Sequence, residues 1–339
     1  MDSRVRPRTR RCPAFLRRAY PHILWLCLAA ALSPPGETAA QEPRLLSNRE
    51  THQAFASALE QLYEAGLPTE LSTLNDQLRE EKRYPFSPAR CDATERSGAE
   101  LYQRCLPGVL KVGTIYLCGH CSEWHARIAT GFAVGRKGLV ITNYHVVESN
   151  EKDRAIGVQT HDGRMFAVEA VLASNRREDL ALLKVNADDL TPLPVAREVD
   201  VGSQVYVISH ADRHFYTMTE GIVSRMGRRR VRGGTARLMS ITADFARGSS
   251  GAPVLNRHGA VVGVAHATDS VYYHEEEDGS GTNLQMVWKR CTPSAGLLEV
   301  LGEASSDGPG GRDRQGDRVS LSSAVREEMS AWFGRRGSV

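Results

Sequence analysis

From about Leu101 onward, Gly, Asn and Asp cut the chain into short apolar runs, and this punctuation limits what it can fold into. Leu139–Thr142, Met165–Leu172, Leu180–Val185, Gln204–Ile208 and Ala260–Ala265 are examples. Runs this short do not make core helices, but they suit strands that bury a face every second residue. Many of them separated by turn residues predict an all-β architecture of sandwich or barrel type. The preceding stretch reads differently. Residues 47 to 83 place Phe55, Leu59, Leu62 and Tyr63 at helical spacing, and Leu71, Leu74 and Leu78 resume it beyond Pro68. Ser47 followed by Glu50 fits a capping box at the start. A helical extension over residues 41–99 is therefore expected ahead of the β-rich region. It is either a helical hairpin packed on that region or a partner-binding or inhibitory pro-segment.

Three stretches carry chemistry at the edges of apolar runs: Leu139–Val147 (LVITNYHVV), Glu178–Val185 (EDLALLKV) and Arg247–Leu255 (RGSSGAPVL). They supply His145, Asp179 and Ser250, in that order. Singly, each has a plain structural explanation: a solvated histidine, a polar strand start, a flexible Gly-Ser turn. Together they match what a serine nucleophile needs, since a hydroxyl is weak unless a base takes its proton and a third group orients that base. His, Asp, Ser is one of the few chain orders in which this triad occurs.

With these motifs in view, the chain resembles the trypsin-fold serine peptidases, most closely the bacterial HtrA/Deg-type branch and related exported trypsin-like peptidases. The residues TGFAVGRKGLVITNYHVV, EDLALLKV and GSSGAPVLNRHGAVVGV carry the resemblance. It extends over roughly residues 100–302, with Val201–Val205 and Thr219–Ser224 where that family has central strands of its second barrel. The resemblance implies two six-stranded antiparallel β-barrels with the site between them, His145 and Asp179 from the first and Ser250 from the second. It also implies an oxyanion hole made by the backbone N–H groups of Gly248 and Ser250. Ser249 stands where digestive-type relatives carry an Asp that pairs with a newly cut N-terminus, so activation by N-terminal insertion is not expected. Ala252 replaces a second glycine that the family often has after the nucleophile. Residues 303–339 are too few for the PDZ domain that HtrA-type proteins usually carry, so peptide sensing through such a domain is not expected.

Specificity is weakly encoded. Asp244 lies six residues before Ser250, the offset at which trypsin-like relatives hold a pocket acid for Arg or Lys; it also reads as a rim or structural acid. His266, on the run that would line the substrate, lies one position from a histidine that glutamyl endopeptidases use. Both are candidate substrate-binding residues.

The first forty residues hold seven Arg and two acids, so the formal charge of +3 comes from them and the remainder is slightly acidic. That excludes a nucleic-acid protein on charge grounds. The cluster Arg228, Arg229, Arg230 and Arg232, followed by two glycines, reads as a solvated hairpin. The basic leader, the ten apolar residues Ile23–Leu32 and the small residues Thr38-Ala39-Ala40 read as a signal peptide over residues 1–40. Ten apolar residues are short for a membrane span, and an uncleaved anchor is the alternative. The reading is thus an exported protein, periplasmic or secreted, with no stable membrane insertion after cleavage.

Five cysteines follow Ala40: Cys91, Cys105, Cys118, Cys121 and Cys291. Export favours disulfides, and the odd count leaves at least one thiol over. Cys118-Gly119-His120-Cys121, with His125 beyond, has the spacing of half a zinc site or of a thiol pair in a hairpin; with no second matching pair, no metal and no cofactor are expected. Residues 303–318 read as a flexible linker, and Leu321, Val325, Met329, Trp332 and Phe333 as a short amphipathic helix. The function expected is hydrolysis of protein or peptide substrates through an acyl-enzyme, in an undetermined oligomeric state. The rival is a catalytically silent trypsin-fold binding module.

Overall fold

The computed structural model describes residues 45–275 and 281–303. The signal-peptide reading of residues 1–40 and, apart from Glu303, the linker and helix read over 303–339 lie outside the described residues. In chain order the helices and strands are α1 (Asn48–Glu64), α2 (Leu71–Arg79), α3 (Gly98–Cys105), β1 (Val109–Leu117), β2 (Trp124–Gly135), β3 (Leu139–Thr142), α4 (Tyr144–Val147), β4 (Asp153–Gln159), β5 (Met165–Asn175), β6 (Leu180–Val185), β7 (Gln204–Ser209), β8 (Thr217–Val231), β9 (Gly234–Ile241), β10 (Pro253–Leu255), β11 (Val261–Glu275), β12 (Gly281–Pro293) and α5 (Ser294–Val300). The twelve strands form two closed six-stranded antiparallel barrels, ordered β1-β2-β3-β6-β5-β4 and β10-β11-β12-β9-β8-β7. Closure comes from β1 pairing with β4 and β10 pairing with β7. This is the all-β, two-barrel architecture expected from the sequence.

The short runs are buried on both faces because each strand serves two cores. In β3 and β6, Val140, Ala181 and Leu183 point into the first barrel with Leu110, Val112 and Ile156. Their neighbours Ile141, Leu180 and Leu182 point the other way and meet Tyr206, Ile208, Leu255 and Val261 of the second barrel. The period-two alternation of a strand makes this division automatic. In the second barrel, Val205 and Val207 enter the interior with Val223, Met239 and Ile241, while Tyr206 and Ile208 face the first barrel. A fully buried side chain of this size contributes about 1.5–3 kcal/mol, so the inter-barrel contact holds the two halves of the cleft in fixed relation.

The stretch read as helical over residues 47 to 83 holds two helices, α1 and α2, with Pro68 between them. The Ser47 hydroxyl accepts from the Glu50 amide at 3.3 Å and starts α1. Gly66 (φ 68°) ends that helix, and the chain leaves α2 through Glu81, itself at a left-handed φ of 50°. Phe55 and Leu59 of α1 are fully buried against Ile115 and Ala155 of the first barrel, and Leu74 and Leu78 of α2 join that barrel's core. A third helix, α3, begins at a complete capping box: Ser97 and Glu100 exchange side-chain bonds with each other's backbone amides. No described helix is long and apolar enough to cross a membrane. The arginine cluster lies at the β8–β9 hairpin, where Arg228 pairs with Arg237 and Val231 with Gly234.

Candidate active site

His145 sits on the single turn of α4, immediately after β3, and Asp179 immediately precedes β6. The pairing Thr142↔Ala181 brings the two strand ends together. Asp179 has a left-handed backbone (φ 55°), a conformation that Asp tolerates better than most residues and that tends to persist where surrounding bonds enforce it. Here the Asn143 side-chain amide donates to the Asp179 carbonyl at 2.8 Å, and the Thr292 hydroxyl donates to the Glu178 carbonyl at 2.7 Å. The Glu178 side chain is itself buried and paired with Arg237 at 2.9 Å, and Arg237 also holds Glu299 of α5. The segment before the aspartate is thereby tied to the second barrel.

The Asp179 carboxylate takes three bonds. The His145 backbone amide donates to Oδ1 at 3.0 Å, and His145 Nδ1–H donates to Oδ2 at 2.7 Å. The third comes from His266, whose Nδ1–H donates to the same Oδ2 at 2.6 Å. The two imidazole rings lie 6.2 Å apart, edge to face. With a carboxylate as acceptor, each ring carries its proton on Nδ1, which leaves His145 Nε2 free to act as a base. Burial raises the Asp179 pKa, but the bonds from His145 and His266 outweigh it and hold the group at about 2. For His145, burial opposes the charged form, yet the bond to Asp179 and its charge prevail and raise its pKa above the ordinary value.

Ser250 lies in the turn between Gly248 and β10. The first barrel clamps this turn from β2: the Thr130 amide donates to the Ser250 carbonyl at 2.9 Å, and the Thr130 hydroxyl donates to the Gly248 carbonyl at 2.8 Å. Gly251 and Ala252 exchange backbone bonds with Ala265, the residue before His266. Gly248 has a φ of 93°, and a Cβ there would collide with the His210 carbonyl oxygen, so no other residue fits. Neither the Gly248 nor the Ser250 amide donates to a protein acceptor among the described residues. Ser249 is fully buried, with its hydroxyl 2.8 Å from that of Ser209 and accepting from the Ala246 amide.

His145, Gly248 and Ser250 line one cleft of about 490 Å³, together with Tyr116, Ala126, Arg127 and Ile128 of the first barrel, Phe215 of the second and His52 of α1. Among the described residues the Ser250 hydroxyl makes no hydrogen bond to His145, a separation that apo sites often show before substrate draws the groups together. Asp244 does not line this cleft. Its carboxylate is exposed and pairs with Lys289 at 3.2 Å. His266 is not a lining residue of this cleft; it lies behind His145, bonded to Asp179. His52 and Thr130 were not singled out from the sequence: the first is one polar residue in an amphipathic helix, and the second is a strand threonine whose role appears only across the two barrels.

Residues 129–264 match the family model of the trypsin-like peptidase domain. The chain carries a trypsin-like peptidase domain. This peptidase domain is homologous to DegP- and DegS-type serine endoproteases. A protein of Hahella chejuensis described as a probable periplasmic serine endoprotease DegP-like is 35% identical over 137 residues, 40% of this chain and 28% of that protein. The serine endoprotease DegS of Escherichia coli strain K12 is 30% identical over 208 residues, 58% of this chain and 55% of that protein. The chain thus spans little more than half the length of these curated relatives at most. Among solved structures, the HtrA-type protease AlgW with a tripeptide aligns with a TM-score of 0.48 and 21% identity, over 61% of this chain and 63% of that one, a likeness too slight to add to the argument.

Proposed function

We propose that the chain is an exported serine endopeptidase, periplasmic or secreted, that hydrolyses protein or peptide substrates through an acyl-enzyme. The Ser250 hydroxyl attacks the peptide carbonyl, and its proton passes to His145 Nε2. Asp179 fixes the His145 tautomer and stabilises the imidazolium. The negative oxygen of the tetrahedral intermediate is received by the backbone N–H groups of Gly248 and Ser250. His145 then protonates the leaving amine, and water enters to release the acyl group.

The observation that carries this reading is the double attachment of His145 to Asp179, through its amide and through Nδ1, in a cleft that His145 shares with Ser250. A histidine that only meets solvent does not need its tautomer fixed in this way. The amides of Gly248 and Ser250, without an acceptor among the described residues, and the glycine-only backbone at 248 add support. The catalytically silent module is favoured by one observation, the missing bond between Ser250 and His145. Turnover separates the two readings. The wild-type chain should degrade an unfolded protein substrate, and Ser250→Ala and His145→Ala should lose that activity while keeping the far-UV spectrum; a folded wild type with no activity above Ser250→Ala would favour the silent module.

A further inference from the structure

The tip of the β1–β2 hairpin gathers side chains that the peptidase chemistry does not use. Strand register pairs Tyr116 with His125 and Leu117 with Trp124. The six intervening residues, 118–123, therefore turn back on themselves, with Gly119 at a left-handed φ of 79°. This places Cys118 Sγ 3.3 Å from Cys121 Sγ, and Cys121 Sγ 3.1 Å from His125 Nε2. All three donor atoms lie within 4.8 Å of one another, and neither cysteine is in a disulfide. Two further contacts organise the group. The His120 amide donates to Cys118 Sγ at 3.4 Å, a bond that favours a sulfur bearing negative charge. The His125 ring stacks on Tyr116, with centroids 5.5 Å apart and planes 30° apart, so its Nε2 is held facing the thiols.

Two thiolates and an imidazole are the donors that a borderline-soft, d10 cation takes up. A tetrahedral zinc with sulfur at about 2.3 Å and nitrogen at about 2.0 Å spaces its ligands about 3.8 Å (S to S) and about 3.5 Å (S to N). The Cys118–Cys121 and Cys121–His125 spacings, 3.3 and 3.1 Å, fall short of those values by about half an ångström or less, a difference that a small outward movement of an exposed loop would remove. We propose that Cys118, Cys121 and His125 form a binding site for a thiophilic divalent cation, Zn²⁺ in the first instance, with the fourth position taken by water. This revises the metal-free expectation, which placed His125 beside the CxxC pair but sought a second matching pair; the hairpin register brings His125 onto the two thiols as third ligand. The site would clip the end of a hairpin whose next residues, Ala126 and Arg127, line the cleft. The inference does not depend on the peptidase reading.

Cobalt provides the test. The untagged full chain, reduced and stripped of metal, is titrated with Co²⁺ and then Zn²⁺. The expected result is one equivalent of Co²⁺ with near-ultraviolet thiolate charge-transfer bands, displaced by Zn²⁺. Cys118→Ser and Cys121→Ser should abolish the bands, His125→Ala should weaken binding about tenfold or more, and Cys91→Ser should change nothing. Absence of the bands in the wild type overturns the site, as does their survival in Cys118→Ser or Cys121→Ser, or unchanged affinity in His125→Ala. Chain purified without reductant should contain zinc and two free thiols at these positions; a Cys118–Cys121 disulfide without zinc overturns the proposal by a separate route.

Discussion

Replacing His266 with Ala removes one of the two imidazoles that share Asp179 Oδ2, and the size of the effect follows from the carboxylate itself. Asp179 stands at about 2 against an ordinary value of 3.8. That difference is worth about 2.5 kcal/mol at 1.36 kcal/mol per unit. Because burial pushes the other way, the two imidazoles together supply more than this net amount, His145 first and His266, bonded at 2.6 Å, second. A charge-assisted hydrogen bond is worth about 1.5–3 kcal/mol, in agreement. His266→Ala should therefore lower unfolding stability at pH 7 by about 1.5–3 kcal/mol and lower kcat/KM about tenfold or more, as Asp179 loses its second anchor and the His145 ring its fixed orientation. His266→Asn can present a side-chain N–H from nearly the same place and should recover most of both losses. The assays are urea unfolding and kcat/KM across pH, where the acid limb set by His145 should shift in His266→Ala. If His266→Ala matches wild type in stability and in pH profile, the shared-carboxylate account is wrong.

Other consequences are as direct. The raised pKa of His145 means that kcat/KM should climb with pH through a midpoint above the ordinary histidine value of 6.5, since the base must be neutral; a midpoint below 6.5 contradicts this. The stabilities run in opposite senses: the His145 contribution is complete below pH 6.5 and is lost as pH rises through its folded value, while the Asp179 contribution is complete above its unfolded value and is lost as pH falls toward about 2. Gly248→Ala must force a Cβ against the His210 carbonyl at a φ of 93°; it should cost about 2 kcal/mol or more of stability and about 10²–10³ in kcat, and near-normal turnover would remove the oxyanion role given to this turn. Asp244→Asn should leave cleavage preferences in a peptide library unchanged, because that carboxylate is exposed and paired with Lys289; loss of an Arg or Lys preference would place it in the specificity pocket after all.

Much of the fold could be read from local pattern because each short run answers to two apolar cores at once. Leu139–Thr142 and Leu180–Val185 coincide with β3 and β6 to the residue, since apolar side chains fill them on both faces except at Thr142 and Lys184, beside their ends. The Ala260–Ala265 run was legible only in its buried half. Strand β11 continues to Glu275 through Asp269 and Ser270, where pairing with β12 rather than apolar burial sustains it, and composition is blind to that. Helix α3 was passed over although Ser97 and Glu100 spell its capping box. The chemistry of His145, Asp179 and Ser250 was visible because each sits at a strand edge in a characteristic string. The contact of His266 with Asp179 was not, since it depends on how β11 of one barrel passes the start of β6 in the other. Cys118, Cys121 and His125 were visible as a group with the spacing of half a zinc site, but hairpin register, not the CxxC spacing, sets their convergence.

The most direct test of the central claim is covalent labelling of the folded chain with a fluorophosphonate, followed by peptide mapping. The nucleophile assignment predicts one adduct, on Ser250, lost on unfolding, absent in His145→Ala and strongly reduced in Asp179→Asn. Folded protein that takes up no label, or takes it at another serine, would contradict it.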